Sequence, residues 1–533
     1  MKKLLTLAFV SACFAAQAQV LDSSFDHIGY SIGAVASPAN RISQLSDGSF
    51  VIGVNNSMNP ALCKVTASGN ADSSYGTAGV SQLIVGTCLT YGSSANVITD
   101  IAIQSDDMAI GIGYGEYPYG GLCGYQNMFM FRMKNNGAPD SSFGACGMIH
   151  AGQILGSYPV NLTYSHLTRI KMLPDGKFIV LGFGQVSGVF DIYTLIMRFN
   201  SDGTLDNTFG VNGICTTNSF LNDMGNYWDM IVDASGNIVV LGTSTPPTSG
   251  AELFPQAIRI TSAGVVDSTF GVYGVVAMPS GSFNTATAIQ QRADGKYVII
   301  GSDGISSNLI VLNTNGSVNS TIVPGGFDTI NVPGYSVNTI TSFYIQPDNK
   351  LVVTGYGMND YYACAYIGRL NEDGTYDATF NGIGVDTFNF GAHSTWEAGT
   401  FLYQINNVCG NRALACGAIN LSSSTTAQSM FIVRMRMDEI STCTYHPLST
   451  PSLSSLTGTP TVYPNPAYDE INIENAQPNS TYRILNNLGQ TVKSGTTVSS
   501  TEAVNINGLS TGNYILQLSG TDGVRNTWKI TKL

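Results

Sequence analysis

Read as apolar and polar positions, the chain falls into short runs that keep returning. The clearest, "IKMLPDGKFIVLG" (170–182), is an apolar strand, an Asp-Gly turn and a second apolar strand closed by Gly. The pattern recurs at 42–53, 101–113, 230–242, 289–301 and 343–355, and in a weaker form at 403–417. Strand-like runs on both sides of residues that tolerate positive φ predict a β-hairpin at each place. A second phrase follows: a short strand bearing a cation, another Asp-Gly turn, Leu-Asp-x-Thr-Phe-Gly and a fourth short strand, as in "LIMRFNSDGTLDNTFGVNGI" (195–214). An open sheet built from seven such units would leave long unsatisfied edges. The expected fold is therefore all-β, a seven-bladed β-propeller in which each four-stranded sheet buries both faces on its neighbours.

The repeats test themselves. Cation and carboxylate keep one spacing in Lys64/Asp72, Arg132/Asp140, Arg198/Asp206, Arg259/Asp267 and Arg369/Asp377, and in the fifth unit both are lost, as Val311 and Asn319. Residues lost as a pair predict contact, because a buried ion pair left half-made is costly. The expectation is a salt bridge in each blade, from the third strand to the fourth, with the following Phe anchoring the turn. The seventh unit keeps Arg434 but has no Asp-x-x-Phe after it, while "LDSSFD" (21–26) stands alone at the start. Asp22 is thus expected to meet Arg434, with the N-terminal strand completing the last blade and removing its open edge.

These phrases resemble the delta-60 repeat family of bacterial surface and secreted proteins over most of residues 20–437. The resemblance implies a propeller-like fold and neither a defined ligand nor a reaction. After a Ser/Thr/Pro-rich linker (446–460), residues 461–533 show short alternating strands and Gly/Asn turns, the pattern of a small β-sandwich. Tyr463-Pro464-Asn465-Pro466, the Leu-Gly-Gln turn at 488–490, "GLSTGNYILQL" (508–518) and a last strand bearing Lys529 and Lys532 resemble the type A C-terminal sorting domain of the type IX secretion system. That resemblance implies the secretion machinery as a partner and a location at the outer cell surface or beyond it.

Composition narrows the rest. Tyr and Phe, 26 and 23, outnumber the 23 Lys and Arg, and a formal net charge of −12 argues against nucleic acid. "MKKLLTLAFVSACFAAQAQ" reads as a signal peptide over 1–18 with cleavage near Ala18; the competing reading makes Cys13 a lipidated N-terminus. The mature repeat region is then 19–445, with no later stretch long enough to span a bilayer. The nine cysteines that follow fall in no metal-binding pattern, and their odd number leaves at least one free thiol.

No catalytic constellation is expected. The five histidines have no ligand spacing, so neither a metal nor a cofactor is called for. The recurring aspartates read as turn and salt-bridge residues, since an active site requires a unique constellation. Variation between blades falls in long aromatic connections on the face opposite the Asp-Gly turns. Candidate contacts for a glycan or protein are Tyr117, Tyr119, Phe190, Tyr193, Phe254, Tyr361, Tyr362, His393, Trp396 and Glu397. Trp228 reads as core. The leading expectation is a non-catalytic binding or adhesion protein. The alternatives are a carbohydrate-active hydrolase or lyase using Glu397 with His393, or Asp191 and Glu252, and a passive structural surface protein.

Overall fold

In a computed structural model the chain packs into two units, Met1–Leu448 and Ser449–Leu533. The structure describes residues 21–437 and 460–532, except 23, 27–29, 33–36, 57–58, 83–95, 120–121, 145–146, 151–152, 155–161, 187–191, 218–228, 245–253, 359–362, 389–399, 409–411, 421–427, 466, 475–479, 487–489, 498–500 and 520–524.

The first unit holds seven four-stranded sheets among the described residues. Sheet 1 comprises Ala39–Gln44, Phe50–Asn56, Asn59–Val65 and Val80–Gln82. Sheet 2 comprises Asn96–Ile103, Ala109–Tyr119, Leu122–Met133 and Met148–His150. Sheet 3 runs through Leu162–Met172, Phe178–Val186, Ile192–Phe199 and Ile214–Thr217. Sheet 4 takes Asp229–Val232, Ile238–Ser244, Phe254–Ile260 and Val275–Ala277. Sheet 5 is Thr285–Gln291, Tyr297–Ser302, Ser307–Leu312 and Asp328–Ile330. Sheet 6 is Val337–Ile345, Leu351–Met358, Ala363–Leu370 and Val385–Phe388. Sheet 7 has Thr400–Val408, Arg412–Asn420 and Gln428–Arg436 in sequence, and takes its fourth strand, Tyr30–Ile32, from the start of the chain.

The apolar runs have a simple reason: both faces of each sheet are covered, so successive residues enter different cores. Ile179 packs between sheets 3 and 4, and its neighbour Val180 between sheets 2 and 3. Val51 packs between sheets 1 and 2, and Ile52 between sheets 7 and 1. The first strands of successive sheets touch, and that of sheet 7 touches that of sheet 1, so the circuit closes.

The hairpin turns share one geometry. In sheet 1 the Gly48 N–H donates to the Leu45 carbonyl and the Leu45 N–H to the Ser49 carbonyl, while Asp47 Oδ1 accepts from the Ser49 N–H at 2.8 Å. Only the Gly position needs positive φ, and where Gly is absent Asp107 (φ 63°) and Asn349 (φ 67°) take that place. A second shared feature sits in the first strands, where the register slips by one residue at the same point in six sheets. In sheets 2, 3, 5, 6 and 7 a Gly of the second strand lies opposite this bulge. A Cβ at Gly113 or Gly355 would collide with the carbonyl oxygen of Val97 or Thr339.

In the second unit Thr461–Tyr463, Glu470–Glu474 and Thr501–Asn505 form one sheet, and Thr491–Thr496, Thr481–Leu485, Gly512–Ser519 and Arg525–Lys532 another. Ile471, Ile473 and Val504 of the first share a core with Ile484, Leu516 and Ile530 of the second.

Candidate functional site

Two sets of arginine–aspartate pairs dominate the first unit. The outer set is built by the repeated phrase. Arg132, Arg198, Arg259 and Arg369 each donate through Nε to Oδ2 of Asp140, Asp206, Asp267 and Asp377 at 2.7 Å, and Lys64 Nζ lies 3.2 Å from Asp72 Oδ2. Each carboxylate lies in the loop between the third and fourth strands, not on the fourth strand as its spacing suggested. The Ser or Thr two residues on donates its hydroxyl to the same carboxylate, at 2.7 Å for Thr208 to Asp206, and accepts from the guanidinium, at 2.8 Å from Arg198 Nη2. The Phe after it is buried and lies under the cation, with Arg198 4.9 Å from the Phe209 ring centre and Arg259 4.6 Å from that of Phe270.

The guanidinium also leaves its own sheet. Nη1 of Arg132, Arg198 and Arg259 donates at 2.6 Å to the carbonyls of Ser201, Ser262 and Thr314, each in the turn of the next sheet. Burial alone would raise the carboxyls. The hydroxyl, amide and cation contacts outweigh it and hold Asp140, Asp206 and Asp377 below the usual carboxylate range.

Sheet 7 uses the N-terminal phrase in the same way. Arg434 donates through Nε to Asp22 Oδ2 at 2.9 Å and through Nη1 to the Ala67 carbonyl of sheet 1 at 2.6 Å, with its guanidinium 4.7 Å from the Phe25 ring centre. Arg412 adds a 2.6 Å contact to Asp22, which is wholly buried. In sheet 5 Val311 is apolar core, and Asn319 Oδ1 accepts the N–H groups of Thr321 and Ile322 instead. The cation there is relocated: Arg292, at the end of the first strand, reaches Glu372 in the sheet 6 turn at 2.8 Å. The turn lysines Lys177 and Lys350 join Asp206 and Asp377 at 2.7 and 3.1 Å, partners that the spacing did not reveal.

The second set lines the channel enclosed by the first strands. The bulge aims one residue per sheet at it: Arg41, Asp100, Arg169, Ala288, Ser342 and Gln404, with Asp229 at the matching place in sheet 4. Arg41 Nε lies 3.2 Å from Asp100 Oδ1, and Arg169 Nε 3.1 Å from Asp229 Oδ1. The remaining carboxylate oxygens accept backbone N–H groups of the next sheet, Asp100 Oδ2 from Ile170 and Asp229 Oδ2 from Ile289, both at 3.0 Å. Gln404 Oε1 accepts the Ile42 N–H at 2.7 Å and so joins sheet 7 to sheet 1. Threonines at the bulge itself satisfy carbonyls, Thr99 that of Leu167 at 2.6 Å and Thr341 that of Leu402 at 2.7 Å. A cavity of about 540 Å³ opens here, from the charged residues to those preceding the first-hairpin turns, such as Gln44 and Met172. Sequence reasoning missed this set. The one available signal was the Thr at the bulge of four units (Thr99, Thr168, Thr287 and Thr341) with its facing Gly, since the residue that follows it is of no constant type.

The aromatic candidates fare differently. Phe190, Tyr361, Tyr362, His393, Trp396 and Glu397 lie outside the described residues, as do Asp191, Glu252 and Trp228. Tyr117, Tyr119 and Phe254, which the sequence places in connections, belong to strands, where Tyr117 pairs with Tyr125, Tyr119 with Leu122 and Phe254 with Ser244. Tyr193 is a half-buried strand residue packed against the core between sheets 2 and 3. His166 is stacked at 3.4 Å on Tyr114, and burial pushes its pKa down to about 3. Cys63, Cys215, Cys364 and Cys416 are buried free thiols, and burial raises them to between about 11 and about 12. Among the described residues no group of side chains has metal-ligand geometry, and no helix is long and apolar enough to cross a membrane.

In the second unit Asn465 of the Tyr-Pro-Asn-Pro phrase grips the last strand. Its Nδ2 donates to the Lys529 carbonyl at 2.7 Å, and its Oδ1 accepts from the Thr531 N–H at 2.9 Å. Tyr514 donates its hydroxyl to the Ser510 carbonyl at 2.7 Å, tying "GLSTGNY" to its own turn. Leu488 and Gly489 lie outside the described residues.

Residues 461–532 match the family described as secretion system C-terminal sorting domain. Residues 173–209 and 346–380 match a domain of unknown function, DUF5122, described as a beta-propeller. No curated protein matches the chain significantly. Among solved structures it is similar to PorZ, an essential surface component of the type IX secretion system of Porphyromonas gingivalis, at 12% identity over 93% of this chain and 59% of that one, TM-score 0.37. The chain thus spans little more than half of PorZ. Others are virginiamycin B lyase from Staphylococcus aureus, at 11% identity over 76% of this chain and 100% of that one, TM-score 0.38, and the polysaccharide lyase Uly1, at 10% over 76% and 91%, TM-score 0.43. The chain carries DUF5122-type β-propeller repeats and ends in a sorting domain of the type IX secretion route, which directs it outside the cell or to the outer surface.

Proposed function

We propose that residues 19–445 form a seven-bladed β-propeller closed by the N-terminal phrase, and that it serves outside the cell as a non-catalytic binding or adhesion module for a glycan or protein. In this reading residues 1–18 are the signal peptide, 446–460 the linker, and 461–533 a β-sandwich recognised by the type IX machinery. One observation carries the non-catalytic part. The recurring aspartates, the most conspicuous acid groups of the chain, are engaged by an arginine or lysine and by a Ser or Thr hydroxyl, as Asp206 is by Arg198 and Thr208. They are held in the ionised form and have no proton to donate. Variable chemistry is left to the connections on the opposite face, where the sequence gathers Tyr, Trp and Phe.

The full secreted chain on a glycan array and in a cell-adhesion assay tests this, beside a variant with Tyr361, Tyr362 and Trp396 all replaced by alanine. Binding that falls at least tenfold in the variant, with unchanged melting, supports the reading. Binding equal in both chains sinks the loop-face assignment. Turnover of a polysaccharide that vanishes in Glu397→Gln would replace it by the hydrolase or lyase alternative.

A further inference from the structure

The channel cavity is a site in its own right, distinct from the loop face. A chain with 23 basic side chains against 35 acidic ones places three of the 23, Arg41, Arg169 and Lys171, around one cavity, with only Asp100 and Asp229 as acidic lining groups. They differ from Arg132, Arg198, Arg259 and Arg434 of the outer set, in which each of the three guanidinium nitrogens has a hydrogen-bond partner. Arg41 uses Nε on Asp100 and Nη1 on the Asn40 carbonyl at 2.8 Å; Arg169 uses Nε on Asp229 and Nη1 on the Thr168 carbonyl at 2.8 Å. Nη2 of each guanidinium has no hydrogen-bond partner among the described residues, and the Lys171 ammonium has no ion pair among them. The two guanidiniums feel each other, for burial and then the Arg169 charge push the Arg41 pKa down.

The two aspartates pair with the two arginines and so leave a surplus of one positive charge, and they are further occupied by backbone N–H groups, Asp100 by those of Ile101 and Ile170 and Asp229 by that of Ile289. Spare N–H donors on two guanidiniums that line one cavity can receive an oxyanion in charge-assisted hydrogen bonds. Toward the turns the lining carries the amides of Gln44, Gln290 and Asn406, groups that suit hydroxyls, among apolar residues such as Ile103 and Met172. A volume of about 540 Å³ admits a molecule of sugar size.

We infer that the channel cavity binds a small oxyanion-bearing ligand, with its carboxylate or sulfate group held between Arg41 and Arg169 and its charge balanced by Lys171. The inference does not rest on the aromatic loops. It puts a binding site on the side of the Asp-Gly turns, the side that the repeats led one to regard as structural.

The test is calorimetry on the purified full chain with sodium glucuronate, sodium sulfate, glucose and sodium chloride at matched ionic strength. Saturable binding of glucuronate or sulfate, with neither glucose nor chloride saturating, is the expected result; glucuronate binding the tighter identifies a sugar acid, and sulfate alone an inorganic anion. Arg41→Gln with Arg169→Gln should weaken that binding at least tenfold. Should this pair fail to fold, Lys171→Gln keeps the question open to a clear answer, with a loss of about threefold expected at unchanged circular dichroism and melting. The proposal is overturned if no oxyanion saturates, if glucose binds as well as glucuronate, or if folded variants bind like the parent. The alanine variant of the aromatic loops should bind the anion normally, so the two sites fail or stand separately.

Discussion

The outer and the channel arginines make the same bond to the same kind of partner, yet they differ in what remains afterwards. Arg198 at the rim has its Nε on Asp206, Nη2 on Thr208, Nη1 on the Ser262 carbonyl and its face over Phe209. Arg169 in the channel has Nε on Asp229, Nη1 on its own neighbouring carbonyl, and a further nitrogen without a partner among the described residues. A guanidinium with all three nitrogens engaged, as in Arg198, serves to hold structure together. One with a donor to spare beside a cavity can hold something else. An Arg–Asp pair is therefore not a structural or a functional feature by type; the count of satisfied donors decides.

The sharpest way to break the comparison is at the closure point. Asp22 is wholly buried among Arg434, Arg412 and Arg436, whereas Asp267 at a regular rim site keeps 15% side-chain exposure. Asp22→Ala should cost about 3–5 kcal/mol in urea unfolding, because it strands the buried Arg434 and frees the strand that completes sheet 7, and Asp267→Ala about 1–2 kcal/mol. Equal costs would mean that the N-terminal phrase is an ordinary rim pair and that closure adds nothing. Burial raises the Asp22 carboxyl, but Ser24 and Arg434 overcome this and lower it. Its stabilising share is thus present at neutral pH and is lost as pH falls through its depressed pKa.

Asp386 in the fourth strand of sheet 6 supplies the opposite case, a carboxyl with no cation. Burial pushes it up to about 6; the Thr387 N–H opposes this weakly, and Oδ2 has no hydrogen-bond partner among the described residues. A raised folded-state pKa stabilises fully below the unfolded value of 3.8 and is lost as pH climbs through about 6. Stability at pH 8 should therefore be lower than at pH 4 by about 2 kcal/mol from this group alone. Asp386→Asn should remove that slope, measured as urea midpoints across the range. A slope unchanged by the substitution would mean that another group titrates.

Arg198→Lys tests the rim at its regular strength. The ammonium can keep one contact to Asp206 but cannot also reach Thr208 and the Ser262 carbonyl in a fixed plane, so about 1–2 kcal/mol should be lost. Sheet 1 already carries lysine at this place: Lys64 reaches Asp72 at 3.2 Å and the side chain of Asn135 at 2.9 Å, where the arginines reach a backbone carbonyl. A loss well under 0.5 kcal/mol would reduce the guanidinium fork to a plain point charge.

How much of this could be read in advance follows from repetition. The rim was legible because one sentence is written again and again in register, and because Val311 and Asn319 depart from it together. The N-terminal phrase could be assigned to Arg434 for the same reason. What spacing could not give was the reach of Nη1 into the next sheet, since the acceptor is a carbonyl and carries no sequence signature. The channel was illegible for the converse reason. Its seven positions hold Arg, Asp, Arg, Asp, Ala, Ser and Gln, and their common aim comes from a bulge, a backbone event marked only by threonines such as Thr99 and Thr341 facing Gly. Tyr193 reads as a loop residue because it stands next to a long connection, although its place in the strand buries half of it.

The smallest expected effect sharpens the comparison most. Arg41→Gln removes a charge as buried in appearance as many at the rim, with 18% side-chain exposure against 14% for Arg198. Its partner Asp100 still accepts the N–H groups of Ile101 and Ile170 at 3.0 Å, and the vacated space adjoins a cavity that water can enter. The carboxylate left behind is therefore neither unpaired nor dry, the two conditions that make a broken ion pair expensive. The cost in urea unfolding should stay within about 1 kcal/mol, while the rim variants lose more at similar exposure. If Arg41→Gln instead costs as much as Asp22→Ala, the channel pairs are struts like the rim pairs, and spare donors do not separate the two sets.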